Sequence, residues 1–280
     1  MLFALFLICF AYIYPADVHG CTVWAAAGDK VGIKGVIIGK NRDNAPNLIT
    51  QARFLSSDDG NKIFGLFDIE ADGYIVAGIN DKGFAVFNAS AVSLPKEKRH
   101  VAKEDLTERL LRSFGSVGSA LEDMGIFSNS HPALYMLADP STIAAIEIAP
   151  DGKIAVRRTD NGCLAFTNHY IDAGLSSENR NNTPGSRERL RRINLLLTSQ
   201  DKPFTIEDFI AIGEDREGGP DYAIWRTGSS QKKIRTLAGF VLAISATGEV
   251  EVYIKLANPG EEERIIRGKL DFSQMAIIPP

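Results

Sequence analysis

Residues 18–44, VHGCTVWAAAGDKVGIKGVIIGKNRDN, contain two short apolar segments rich in valine, isoleucine and alanine. Segments 22–27 and 31–39 have the length and composition of strands, and the Gly-Asp-Lys between them favours a tight turn. The pattern therefore predicts an antiparallel hairpin. Because the two strands run in opposite directions, the polar residues 40–44 at the end of the second strand should lie beside Cys21.

The segment before this hairpin has the features of an export signal. Residues 1–14 carry no charged side chain, yet they are too short to cross a hydrocarbon core of about 30 Å as a helix. Val18 and Gly20 occupy the −3 and −1 positions of a signal-peptidase site. We therefore expect residues 1–20 to be a signal peptide and residues 21–280 a single secreted or periplasmic domain, without stable membrane insertion after cleavage.

The composition is that of an ordinary folded protein. The chain has 280 residues, of which 45% are hydrophobic and 24% are charged, and this excludes a disordered or collagen-like protein. The formal net charge is −4 and there is no basic tail, which argues against nucleic acid as a partner.

Strand patterns dominate both ends of the chain, and apolar residues at helical spacing dominate the middle. This arrangement predicts an α+β domain with layered antiparallel sheets. Further strands are predicted at residues 74–79, 84–87, 133–137, 143–148, 154–156, 236–244 and 249–256. Helices are predicted at residues 106–114, 117–124, 187–197 and 205–212.

Cleavage before Cys21 would create an amino-terminal cysteine. An α-amino group has an unperturbed pKa of about 7.7–8.0, so it can accept the proton of its own thiol without a histidine. One residue then supplies both nucleophile and base. Such a site also needs a carboxylate to orient the amine, a cation that favours the thiolate, and amide donors for the oxyanion.

Four segments share their order and residue types with a known family. They are Cys21-Thr22, residues 39–43 (GKNRD), residues 78–86 (GINDKGFAV) and residues 167–170 (TNHY). Together they resemble the linear amide C–N hydrolases, N-terminal-nucleophile (Ntn) enzymes that include choloylglycine hydrolases, penicillin V acylases and isopenicillin-N acyltransferase-like proteins. The resemblance implies a four-layer αββα sandwich with two antiparallel sheets and no cofactor. Histidine and cysteine spacing gives no indication of a zinc site, so we expect no metal.

The resemblance also implies roles for residues near the hairpin. Cys21 is the expected nucleophile, and Asp43 matches the aspartate that holds the α-amino group. Lys40 stands where bile salt hydrolases have an arginine. Either Lys40 or Arg42 could therefore be the cation beside the thiol.

Further site residues are implied later in the chain. Asn168 matches the asparagine of the Thr-Asn-His motif, which hydrogen-bonds near the nucleophile and the oxyanion. Asn88 lies near the second amide donor of the family, although the alignment could shift to Ser90. Ser186-Arg187 resembles a late Ser-Arg pair whose arginine completes the charge network, and Arg189, Arg191 and Arg192 follow on the same predicted helix. His169 is expected to orient or pack rather than act as a base.

The function predicted from these residues is hydrolysis of a linear, non-peptide amide of a small N-acylated substrate through a cysteinyl acyl-enzyme. An acyltransferase or an Ntn dipeptidase is the alternative within the same enzyme class. From a different class, a binding protein anchored by a lipid on Cys21 also fits a cysteine preceded by glycine. The sequence does not determine the acyl and amine specificity or the oligomeric state, and a homo-oligomer is one of the open alternatives.

Overall fold

A computed structural model describes residues 19–56, 60–69, 73–99 and 105–279. Most of the predicted signal peptide, residues 1–18, lies outside the described residues. The described strands form two seven-stranded sheets in which every neighbouring pair is antiparallel.

The first sheet contains both ends of the described chain. In spatial order it consists of β10 (Gly162–Phe166), β1 (His19–Ala27), β2 (Gly35–Asn44), β11 (Arg235–Ser245), β12 (Val250–Leu256), β13 (Arg264–Asp271) and β14 (Ala276–Ile278). The second sheet follows chain order, with β3 (Thr50–Leu55), β4 (Ile63–Asp68), β5 (Tyr74–Asn80), β6 (Ala85–Ser90), β7 (Ala133–Ala138), β8 (Ile143–Ile148) and β9 (Ile154–Thr159).

Helices cover the outer face of each sheet. Helices α1 (Leu106–Ser113), α2 (Val117–Glu122) and α3 (Met124–Ser128) pack on the second sheet, and α4 (Pro184–Thr198) and α5 (Ile206–Gly213) pack on the first. The short α6 (Gly219–Tyr222) contacts α4. In the described part of the chain, no helix is both long and apolar enough to span a membrane.

Side-chain alternation on the strands produces three apolar layers. Val23, Ala25 and Phe240 face the space between the sheets, where they meet Phe64 and Phe87 of the second sheet. Alternate residues face the helices on the other side of each sheet. The prediction of an α+β fold with two antiparallel sheets in an αββα sandwich is therefore confirmed.

The second strand of the hairpin differs from the prediction. It begins at Gly35 instead of Val31, and it continues through the polar residues 40–44. Val31 instead forms an isolated bridge with Phe204. The polar residues can remain in a buried strand because their side chains find partners on both faces of the sheet, as described below.

Sequence patterns also missed several strands. Neither β3 nor β4 was predicted from the sequence, nor were β13 and β14. Of these, β4 (sequence IFGLFD) is buried along its whole length, so both of its faces are apolar and no alternation marks it as a strand.

Candidate active site

The register of β1 and β2 divides the polar residues between two faces of the sheet. Cys21 lies opposite Arg42, and Val23 lies opposite Lys40. Since paired residues share a face, Cys21, Lys40 and Arg42 face the space between the sheets. Asp43 lies on the other face, towards the helices. Cys21, which bears the thiol, is 8% exposed.

Asn168 lies just beyond the end of β10 and contacts the main-chain nitrogen of Cys21. This nitrogen donates to Asn168 Oδ1 over 2.9 Å, and Arg189 Nη2 donates to the same oxygen over 2.8 Å. The amide group of Asn168 donates to the carbonyl oxygen of Ser90 over 3.0 Å. The side chain therefore has a fixed orientation, with its oxygen towards the nitrogen that cleavage would convert to an α-amine.

Asp43 is buried between two arginines. Its Oδ1 accepts a hydrogen bond from Thr236 Oγ1 over 2.8 Å. Its Oδ2 lies 3.6 Å from Arg226 Nη1 and 3.9 Å from Arg189 Nε, both longer than a hydrogen bond. Among the described residues, none forms a hydrogen bond with Oδ2. Burial raises the pKa of Asp43, and the positive charges of Arg189 and Arg226 oppose that rise.

Lys40 crosses from the first sheet to the second. Its Nζ donates to the carbonyl oxygens of Val76 and Asn88, each over 2.6 Å, and to Asn88 Oδ1 over 3.0 Å. The pairing of β5 with β6 ends at Ala77 and Phe87, so the ammonium group satisfies two carbonyls at the point where these strands diverge.

The charge of Lys40 is coupled to the thiol. Burial lowers the pKa of Lys40 to about 8, and the negative charge of the Cys21 thiolate opposes this change. Arg42 instead forms a buried ion pair with Asp68 at the end of β4. Asp68 forms a direct ion pair with Arg42, whereas Lys40 Nζ contacts only neutral acceptors among the described residues, and Asp105 and Asp43 act on it only through their charge. Lys40 is therefore the cation on the Cys21 face without a direct ion pair.

Most of the chain, residues 31–261, matches the family model of acyl-coenzyme A:6-aminopenicillanic acid acyltransferase. The chain belongs to this family. The match includes Lys40, Asp43 and Asn168 but begins after Cys21. It confirms the predicted relationship to the Ntn amide hydrolases, and the protein is therefore an Ntn amidohydrolase or acyltransferase.

Two solved structures share the fold of this family member. A single-residue variant of the conjugated bile acid hydrolase from Clostridium perfringens is 14% identical, with a TM-score of 0.51 over 88% of this chain and 92% of that chain. The penicillin V acylase from Agrobacterium tumefaciens is 14% identical, with a TM-score of 0.51 over 91% of this chain and 87% of that chain. The chain has no significant match among curated protein sequences.

The second predicted amide donor, Asn88, has both ends of its side-chain amide bonded to other residues. Its Oδ1 accepts from Lys40, and its Nδ2 donates to Thr107 Oγ1 at the start of α1 over 2.9 Å. The neighbouring candidate, Ser90, contributes its main-chain carbonyl to Asn168. In this structure Asn88 links Lys40 to α1, and its role as an oxyanion donor stays a prediction.

The structure brings Arg189 to the site where the sequence pattern indicated Arg187. Arg189 is 2% exposed, and its Nε donates to Thr22 Oγ1 over 3.0 Å. Arg187 precedes it by two residues, about 200° around the helix, and therefore points in a different direction. The buried face of α4 contains Ser186, Arg189 and Ile193, so extending the apolar spacing of the helix towards its start would have selected Arg189.

Three other residues of the site were not assigned to it from the sequence, although residues 225–227 and 235–236 resemble a pattern of a family subgroup. Arg226 lies between α6 and β11, Thr236 lies in β11, and Asp68 ends β4. Each occurs in a segment typical of a strand or turn, and no local spacing relates any of them to Cys21. Among the described residues, no cluster of histidine, cysteine or acidic side chains could hold a metal ion.

Matched substitutions distinguish the two arginines. We expect Arg189→Lys to lower kcat/KM for amide hydrolysis about 10²-fold, because a lysine cannot donate to Thr22 and Asn168 simultaneously in the fork geometry of arginine. We expect Arg187→Lys to remain within about twofold of the wild type. Steady-state kinetics together with thermal melts would test this, and equal losses in the two variants would contradict it.

Proposed function

We propose that the protein is an exported amidohydrolase with Cys21 as its amino-terminal nucleophile. Its substrate is a small N-acylated compound with a linear, non-peptide amide bond. Membership in the acyltransferase family supports the reaction class. The arrangement around Cys21 supports the choice of nucleophile.

The observation that carries the proposal is the unsatisfied oxygen of Asp43. A buried carboxylate oxygen without a short hydrogen bond is costly, and among the described residues Oδ2 of Asp43 has only long ion pairs, to Arg226 at 3.6 Å and to Arg189 at 3.9 Å. Asp43 pairs across the sheet with Gly20. Removal of residues 1–20 would open this space and create an ammonium group at Cys21, which could donate to Oδ2.

Gly20 itself is closely surrounded by the same groups. A Cβ atom at this position would lie 2.8 Å from Arg226 Nη1, 3.4 Å from Arg189 Nη2 and 3.5 Å from Asp43 Cβ. A larger residue would therefore displace the side chains that are proposed to hold the α-amine. Gly20, the residue before the proposed cleavage point, therefore lies against the charged side chains of the site.

The proposed reaction proceeds through two acyl transfers. The free α-amine accepts the thiol proton, and the thiolate attacks the carbonyl carbon of the substrate amide. The C–N bond then breaks, the leaving amine takes the proton from the α-ammonium group, and a thioester forms on Cys21. Water activated by the α-amine attacks the thioester and releases the acid. The positive charge of Lys40 favours the thiolate throughout.

Acyl transfer is the second candidate function, because the family model that matches the chain is named for an acyltransferase. The thioester can be attacked by an amine as well as by water. Hydrolysis is the proposed outcome because water is the abundant acceptor outside the cell. Adding amine acceptors to the assay and measuring the ratio of transfer product to free acid separates these reactions.

We expect the exported protein to begin at Cys21 with a free amino group, and intact mass with amino-terminal sequencing tests this. A screen of chromogenic N-acyl-4-nitroanilides should then give turnover for the processed protein. A lipid on Cys21 or a retained Met1 would contradict the proposal and favour an anchored binding protein. Cleavage only of substrates with a free amino end would favour an Ntn dipeptidase.

A further inference from the structure

Three buried polar side chains meet next to Asn168, between the end of β10 and the start of α4. Ser186 Oγ lies 2.7 Å from His169 Nδ1 and 2.8 Å from Thr167 Oγ1. The main-chain nitrogen of Asn168 donates to Ser186 Oγ over 2.9 Å. The Ser186 hydroxyl is therefore the centre of this cluster.

The position of Asn168 depends on contacts such as the one with Ser186, because this residue lies beyond the last main-chain pairing of β10. β10 ends at Phe166, so the main chain of Asn168 has no strand partner. Its carbonyl accepts from the nitrogen of Ser93 over 3.1 Å, and its nitrogen donates to Ser186. A buried main-chain nitrogen that loses its acceptor must find another one or move.

Helix α4 thus holds Asn168 at two points. Ser186 accepts from the main-chain nitrogen of Asn168, and Arg189, three residues later on the same helix face, donates to its Oδ1. Residues three apart on a helix have a fixed relative position. The two contacts together determine where Oδ1 lies relative to the nitrogen of Cys21, to which it is bonded over 2.9 Å.

The hydrogens of the cluster can be assigned without a conflict. Thr167 Oγ1 donates to the carbonyl oxygen of Ser186 over 2.9 Å, so Thr167 has no second proton to give to the Ser186 hydroxyl. Ser186 Oγ therefore accepts from Asn168. Its own proton goes to Thr167 Oγ1, 2.8 Å away. Burial, with Arg187 and Arg189, lowers the pKa of His169 to about 4, so the ring is neutral and its Nδ1–H donates to Ser186 Oγ.

We propose that Ser186 is a positioning residue that fixes Asn168 against the α-amine of Cys21. The inference rests on the proposed function, since it assumes that this amine is the base. Ser186 acts through Asn168. Loss of its hydroxyl should therefore affect activation of the thiol more than substrate binding.

The test compares variants at position 186 that differ only in the hydroxyl. Thr and Val have nearly the same shape, so we expect Ser186→Thr to keep much of the wild-type kcat. Ser186→Val and Ser186→Ala should lose roughly 10- to 100-fold, with KM changed less than threefold. Ser199→Ala is the control, since this exposed serine caps the end of the same helix and its hydroxyl donates only to the carbonyl oxygen of Leu196 among the described residues. The substrate is the N-acyl-4-nitroanilide that the wild type cleaves fastest.

A second measurement separates this inference from the proposed function. The rate of Cys21 alkylation by iodoacetamide, followed from pH 5 to 9 by peptide mass spectrometry, reports the activation of the thiol without turnover. A slower rate in the Val variant than in the Thr variant supports the positioning role, even if the wild type cleaves no N-acyl amide and the proposed function fails. Equal kcat values and equal alkylation rates in these two variants would overturn it.

Discussion

Cys21→Ser is expected to lower kcat/KM by about 10³-fold or more while the protein stays folded. The hydroxyl of serine is far less acidic than a thiol, so an α-amine with a pKa of about 7.7–8.0 removes its proton much less readily in a site arranged for a thiolate. Serine is close to cysteine in size, and Cys21 lies in a strand whose main-chain pairing does not involve its side chain. The thermal midpoint should therefore change little.

The second free cysteine provides a matched control. Cys163 lies in β10 opposite Ala26, a residue of β1 that follows Cys21 by five positions. Burial raises the pKa of the Cys163 thiol. Cys163→Ser should retain wild-type kinetics. Rapid quenching of the wild type with substrate, followed by proteolysis and peptide mass spectrometry, should show an acyl adduct on the peptide that begins at Cys21. Comparable turnover in Cys21→Ser, or an adduct elsewhere, would reject Cys21 as the nucleophile.

The sequence was sufficient to predict the hairpin and the proximity of its polar end to Cys21. Two apolar segments joined by a short connection pair antiparallel, which places the end of β2 beside the start of β1. The connection spans residues 28–34 and is longer than the predicted Gly-Asp-Lys turn. The polar run at residues 40–44 has no such local signal. It is a strand because partners from distant parts of the chain satisfy its side chains.

Those distant contacts explain why the complete site could not be predicted. Asp43 bonds to Thr236, which is 193 residues away, and Lys40 contacts Val76 and Asn88 on the other sheet. Such pairs are determined by how the two sheets stack, and no spacing within one segment encodes them. Asn168 was predictable only through the resemblance of its motif to a known family.

Replacement of Lys40 is the second change with a large expected effect. We expect Lys40→Met to lower kcat about 10²- to 10³-fold, because it removes the cation on the Cys21 face that has no direct ion pair among the described residues. The carbonyls of Val76 and Asn88 also lose their donor, at about 1–3 kcal/mol each. The substitution also removes the free-energy cost of burying the ammonium group, and this offsets part of the loss. The free energy of unfolding should therefore change less than the activity.

The dependence of stability on pH gives an independent test of the buried charge. The pKa of Lys40 falls from 10.5 to about 8 on folding, so between these values the unfolded chain binds more protons than the folded one. Stability relative to Lys40→Met should therefore rise with pH across this window, by about 3 kcal/mol in total. Urea unfolding of both proteins from pH 7.5 to 10.5 measures the difference.

The activity of the wild type should change in the opposite direction over the same pH range. As Lys40 loses its proton near pH 8, the thiolate loses its neighbouring cation and kcat should fall. Lys40→Arg keeps its charge above pH 10, so its activity, although reduced by the larger side chain, should not show this fall. Lys269→Met is the control, because this exposed lysine forms its ion pair with Glu249 on the surface. An identical alkaline limb in the wild type and Lys40→Arg would show that another group titrates there and that Lys40 does not set the charge beside Cys21.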